Sequence, residues 1–232
     1  KKIDTVIFDT VHISNLPLSF LLRLLNFRQI HTIHDLIPHE GKKNIKTKIY
    51  NSLVINFLAT KLIFFSQPKL QIRKPFLILK LAGFEKKDIK KKGDDFLFFG
   101  RMEEYKGIDF LPLISRELKK LKPESSIRLL GSGNVPLPKK ILNDKNIIIN
   151  NIKYSSKELE SNIARSCAII CPYHSATQSG VIVEAFSFGR PVVAYDVGCI
   201  HEYVSNKTGA LVEYGNIKDF VAKMIYFSDN FE

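Results

Sequence analysis

The 232-residue sequence has no tryptophan, only two methionines and three cysteines. Cys167, Cys171 and Cys199 are odd in number and follow no zinc-ligand spacing. They read as free thiols of a reducing, cytoplasmic compartment, not as a disulfide framework or a metal module. No glycine precedes Gly41, so the glycine-rich turn that follows the first strand of a dinucleotide-binding unit is missing from the amino-terminal stretch. No apolar run approaches the roughly 18 residues of a membrane-spanning helix, and no secretory signal is visible. There is no Asp-x-Asp pair of the kind that can hold a divalent metal, and no internal repeat or low-complexity tract.

What is present is an ordinary globular composition, 45% apolar, with a strongly lopsided charge. Residues 1–95 hold 18 Lys plus Arg against 8 Asp plus Glu; the remainder holds 17 against 15, together the formal net charge of +12. A basic face attracts anionic partners, either lipid headgroups or nucleic acid. No RNA- or DNA-binding motif accompanies the charge, so nucleic acid is not an expected partner. Pro17–Phe27 is helical in pattern, with a narrow polar stripe at Ser19, Arg23 and Asn26. It reads as a core helix, with an interfacial membrane helix as the alternative. Lys86–Lys92 reads as a solvated linker.

The chemistry concentrates between Phe96 and Val204, where strand, turn and helix alternate. The apolar run Phe96–Phe99 ends at Gly100 and is followed at once by Arg101 and, five residues on, by Lys106 and Gly107. Two cations at the carboxyl end of a buried strand suit a diphosphate, the Arg as a planar fork and the Lys as a point charge. A second strand, Ala168–Pro172, runs into the polar loop Tyr173–Gly180. A helix, Val181–Phe188, follows and is stopped by Gly189 and Pro191; Pro191–Asp196 is the next strand. Thr177, Gln178, Ser179 and Gly180 open that helix, where free N–H groups, hydroxyls and the helix dipole favour an anion. Glu184, about one turn inside, is placed to accept from ribose hydroxyls. Ordinary helix capping by Thr177 and Ser179, and a solvated Glu184, are the competing readings.

The ordered series Gly-Arg-x4-Lys-Gly, Gly131-Ser-Gly133, the Pro-led loop, Glu184-Ala, Gly-x-Pro-Val-Val and Asp-Val-Gly resembles the carboxy-terminal domain of the retaining GT-B glycosyltransferases of family 4, the glycosyl transferases group 1. The resemblance covers about residues 95–223. It implies an α/β fold of two Rossmann-like domains of the GT-B type. Residues 1–92 would form a partial acceptor-side domain and linker, and residues 93–232 the nucleotide-sugar-binding domain. It further implies donor contacts from Gly100, Arg101, Lys106, Gly131, Gly133, Thr177, Gln178, Ser179, Gly180 and Glu184. Catalytic roles fall to Arg101, Lys106 and, from the segment His34-Asp35-x-x-Pro38-His39, to His34. Two positions depart from the family pattern. Ala176 stands eight residues before Glu184 where a second Glu is usual, and Cys199 stands where a double Gly is common.

The expected activity is therefore hexosyl transfer with retention from a UDP-, GDP- or ADP-sugar to a growing polysaccharide or lipid-linked acceptor, in lipopolysaccharide or capsule synthesis. No metal or other cofactor is expected. The expected location is cytoplasmic, peripheral on the inner face of a bacterial membrane. The short amino-terminal stretch is read as a domain trimmed severely at its amino end. A donor-binding remnant without activity is the alternative, and a basic nucleic-acid-binding protein the remote one.

Overall fold

The computed structural model describes residues 3–34, 36, 45–68, 70–81, 83, 93, 95–133 and 136–230. The linker Lys86–Lys92 and the segment's Asp35, Pro38 and His39 lie outside the described residues. The chain divides into two compact units, Lys1–Leu81 and Ala82–Glu232. Each is a parallel α/β layer structure, as the resemblance implies.

The first unit is a four-stranded sheet in chain order, β1 (Thr5–Phe8), β2 (Arg28–Ile33), β3 (Lys61–Phe64) and β4 (Phe76–Ile78), all parallel. Its helices are α1 (Asn15–Leu24) and α2 (Ile45–Leu53), the latter continued by a π-helical turn, Val54–Leu58. A small core gathers Ile33, Tyr50, Val54, Leu58, Leu62 and Phe64.

Helix α1 corrects the sequence reading. It ends before Phe27 because Asn26 takes a positive φ of 57°, a conformation Asn tolerates and most residues avoid. It also faces the other way. Ser19, assigned to the polar stripe, is fully buried, while Leu24 is 80% exposed and Leu18, Phe20 and Leu21 are about half exposed. The cause is a buried polar chain on β2. Ser19 Oγ donates to Gln29 Oε1 at 2.5 Å, Gln29 Nε2 returns a bond to the Ser19 carbonyl at 3.0 Å, and His31 Nδ1 meets the Tyr50 hydroxyl at 3.1 Å. A buried polar group without a partner is costly, and the Ser19 hydroxyl turned inward satisfies Gln29 although leucines of α1 are left in water. Burial also lowers the pKa of His31 to about 4, with Lys74 adding to the effect, which keeps the imidazole neutral.

The second unit holds β5 (Asp95–Phe99), α3 (Leu111–Leu121), β6 (Ile127–Leu130), α4 (Lys139–Leu142), β7 (Ile147–Asn150), α5 (Ser156–Ala164), β8 (Ser166–Cys171), α6 (Gly180–Ser187), β9 (Val192–Tyr195), β10 (Gly209–Val212) and α7 (Ile217–Asp229). The sheet order is β7-β6-β5-β8-β9-β10, parallel throughout. Chain order thus reverses direction between β5 and β8, the doubly wound arrangement whose switch point opens a crevice at the strands' carboxyl ends. The strands are continuous apolar runs because helices cover both faces. Every residue of β8 is buried, and Phe96–Phe99 and Val192–Tyr195 are buried without exception. The chain after Gly107 begins as a 3-10 turn, Ile108–Phe110, that feeds α3.

Gly107 joins the two halves of the switch point. It sits at φ 68°, and a Cβ there would lie 1.8 Å from the Pro172 carbonyl oxygen at the end of β8. Gly189 shares the conformation, at φ 63°, but nothing lies within 4 Å of its added Cβ. Gly189→Ala should therefore cost only the left-handed strain, about 1–2 kcal/mol, and Gly107→Ala distinctly more, because backbone must also move. Urea unfolding of the two variants measures the difference. Equal losses would show that the β5–β8 approach does not constrain Gly107.

Candidate functional site

The carboxyl ends of β5 and β8 bring the sequence-assigned cations to one rim. Gly100 follows β5, Arg101 projects exposed, and Met102 returns to the core. A 3-10 turn, Glu104–Lys106, then carries Lys106 inward until only 7% of it is exposed. Its Nζ lies 2.7 Å from where a Cβ on Gly100 would stand, and 5.7 Å from the centre of the Tyr173 ring. Among the described residues no carboxylate pairs with it. Burial lowers its pKa from the ordinary 10.5 to about 8; the Arg101 charge lowers it further, and Cys171 and Glu103 oppose the shift. Cys171 itself is pushed up to about 12 by burial, so its thiol stays neutral. An ammonium group is thus held out of water, with no carboxylate paired to it among the described residues, at the position where the fold accepts ligands.

The turn after β6 is locked to the turn after β5. Met102 N–H donates to the Ser132 carbonyl at 3.1 Å, and Cβ atoms on Gly131 and Gly133 would lie 1.9 and 2.1 Å from the carbonyl oxygens of Gly100 and Met102. Backbone contact between these turns gives both glycines a packing reason in addition to the donor role expected of them.

The loop from Pro172 to Ser179 is fastened from two sides. His174 N–H donates to the Tyr105 carbonyl at 2.8 Å, one residue before Lys106. On the far side Cys199 N–H donates to the Ala176 carbonyl at 3.1 Å, and Gly198 packs so closely that a Cβ would lie 1.8 Å from that oxygen. Ala176 is buried, so the departure from the usual Glu places a small apolar side chain inside the loop. Ser179 caps α6 by accepting from Ile182 N–H at 3.4 Å, the capping reading weighed for it above. Thr177 and Gln178 are half-buried beside it, Gly180 is exposed at the helix start, and Glu184 is half-buried in the second turn. The Glu184 charge raises the Tyr154 pKa, after burial, which puts the phenol of the β7–α5 loop in its neighbourhood.

His34 belongs to the first unit. Its Nε2–H donates to the Asp9 carbonyl at 2.9 Å, and its ring lies 5.1 Å from that of Phe65. It thereby ties the carboxyl end of β2 to the turn after β1. Among the described residues no group of three His, Cys, Asp or Glu side chains converges as a metal site would. No helix there is long and apolar enough to cross a membrane.

Residues 93–230 match the family described as Glycosyl transferases group 1. The chain belongs to that family. A curated relative, an uncharacterized glycosyltransferase of Haemophilus influenzae, is 30% identical over 146 residues, 61% of this chain and 39% of the relative. Among solved structures, TarM superposes with a TM-score of 0.78 at 18% identity, over 97% of this chain and 48% of TarM. The pneumococcal O-GlcNAc transferase GtfA, solved with UDP and GlcNAc, gives 0.76 at 18% identity, over 99% of this chain and 51% of GtfA. The lipopolysaccharide outer core galactosyltransferase WaaB gives 0.68 at 17% identity, over 97% and 66%. These likenesses establish a fold of the GT-B type. The chain spans about half the length of TarM and GtfA and less of the curated relative.

The residues that sequence reasoning passed over are Tyr173, which floors Lys106, and the set Asp109, His174 and Tyr214. His174 lies in the Tyr173–Gly180 loop, but its partners are distant in sequence.

The Lys106 geometry has a direct consequence for stability. Its folded pKa is depressed, so the folded state disfavours the charged form. At pH below about 8 the ammonium costs stability in full; the cost is relieved as pH rises from about 8 to 10.5. Lys106→Met should stabilise the protein at pH 7 by an amount on the order of 2–3 kcal/mol, and the advantage should shrink toward pH 10. Urea denaturation of both proteins across that range reads it. A difference independent of pH would mean that Lys106 is not held as a buried charge.

Proposed function

We propose that this chain acts in transfer of a hexose from a nucleoside-diphosphate sugar to a glycan or lipid-linked acceptor, with retention at the anomeric carbon, as a family 4 enzyme. The observation that carries the reading is Lys106, a buried ammonium without a carboxylate partner among the described residues, at the switch point of a doubly wound sheet. A diphosphate supplies the missing counter-charge. The N-terminus of α6 offers backbone N–H groups beside it, and exposed Arg101 offers a fork to the outer oxygens. GtfA, a structural likeness, is itself solved with UDP.

In this reading negative charge grows on the leaving diphosphate as the glycosidic bond breaks. Lys106, in a low-dielectric setting, stabilises that charge more than water would. Arg101 neutralises the outer phosphate, so the site needs no metal ion. Glu184 accepts the ribose hydroxyls. The sugar lies toward the loop at Ala176, where Gln178 and backbone N–H groups take the contacts that a Glu would make. His34, whose ring is held by the Asp9 carbonyl, keeps the catalytic role that the family resemblance gives it. An acceptor built of sugars is supported by WaaB, named for lipopolysaccharide outer core, and by the other glycosyltransferase likenesses. The basic amino-terminal stretch and the exposed Leu18, Leu21 and Leu24 of α1 support peripheral attachment to an anionic membrane.

Titration calorimetry with UDP, GDP and ADP tests the site. One of them should bind, equally well with and without EDTA, and Arg101→Ala should weaken it by about 1.5–3 kcal/mol. Unchanged affinity in the variant, or a requirement for Mg²⁺ or Mn²⁺, would sink the phosphate assignment. Glu184 has its own test. The protein should prefer the nucleoside diphosphate over its 2′-deoxy form, and Glu184→Gln should blunt that preference while retaining phosphate affinity. If the variant keeps the full preference, the ribose is held elsewhere.

A further inference from the structure

We propose that His174 is a positioning residue, a side-chain brace that sets the spacing between the Lys106 turn and the loop opening α6, and so tunes nucleoside-diphosphate affinity without touching the ligand. The inference rests on the reading of the site given above.

Three loops of the carboxyl rim meet at this imidazole. Nε2 lies 2.7 Å from Asp109 Oδ1, on the 3-10 turn two residues past Gly107. Nδ1 lies 2.7 Å from the Tyr214 hydroxyl, in the turn after β10. The backbone N–H of the same residue donates to Tyr105, adjacent to Lys106. Phe110 supports the ring, with centroids at 5.0 Å from His174, 5.0 Å from Tyr195 and 5.7 Å from Tyr214. Five residues after His174 comes Ser179, the cap of α6.

Both ring nitrogens are committed whatever the charge state. In the neutral form Nε2–H donates to the carboxylate and Nδ1 accepts from the tyrosine O–H. In the charged form Nδ1–H donates to the tyrosine oxygen instead. A surface ion pair alone is worth little. Here Asp109 and Tyr214 are exposed, but the His174 side chain between them is half-buried, bonded at both ring nitrogens and backed by Phe110. The effect of these bonds is to hold two diphosphate-binding loops in register before the ligand arrives, which lowers the ordering cost of binding.

The test compares wild type, His174→Ala and Tyr214→Phe in calorimetric titrations with UDP, GDP and ADP, and in amide hydrogen exchange of the unliganded proteins. Tyr214→Phe removes one oxygen and keeps the ring, so it decides the matter if His174→Ala fails to fold. The expected result is an affinity loss of about tenfold for His174→Ala and a smaller loss for Tyr214→Phe. Faster exchange over residues 173–180, with β8 unchanged, should accompany both. Unaltered affinity in a folded variant overturns the proposal, whatever the exchange shows. A wild type that binds none of the three nucleotides overturns it together with the site reading. Binding by wild type with equal affinity in the variants overturns the brace alone.

Discussion

Lys106 keeps a charged ammonium away from water at the end of β5, and much of the second unit is arranged around that burial. A lysine can be drawn inward only where backbone leaves room, and Gly100, with no Cβ in the path of Nζ, provides it. Gly107 then lets the chain turn against the Pro172 carbonyl, which closes β5 against β8. Tyr173 supplies a buried ring beneath the charge, and Cys171 a neutral thiol. Placing such a group in a low-dielectric pocket costs stability, and folds retain costs of that kind where they are used.

Backbone hydrogen bonds also hold the loops around this charge. Tyr105 to His174, Met102 to Ser132, and Ala176 to Cys199 join four turns across the carboxyl rim, those after β5, β6, β8 and β9. Loops fixed in this way present N–H groups in a preset geometry, the condition under which electrostatic stabilisation is effective. The departure at position 176 fits that scheme. A small residue there is buried, and its carbonyl serves the brace to Cys199.

In the first unit the governing constraint is polar. Gln29 and His31 point into the layer between β2 and the helices, and they must be satisfied there. Ser19 and Tyr50 do so, at the cost of turning leucines of α1 outward. A helical wheel drawn from the sequence assigns Ser19 to solvent because it weighs only polarity along one helix. The partner that reverses the assignment stands ten residues away on a neighbouring strand.

The sequence by itself determined the parallel α/β class, the strands it ends at Gly100 and Pro172, each within one residue of the observed end, the capped start of α6 and the cations beside them. Apolar runs, glycine breaks and capping residues are local signals, and the family motifs lie within short segments. Tertiary structure alone decided the rest. The burial of Lys106 depends on Gly100, Tyr173 and Cys171 converging from two strands. The orientation of α1 depends on side chains of β2 and α2. The His174 bridge joins residues 65 and 40 positions apart. Such pairings leave no periodicity in the chain, because they arise where strand ends distant in sequence are brought together by the order of the sheet.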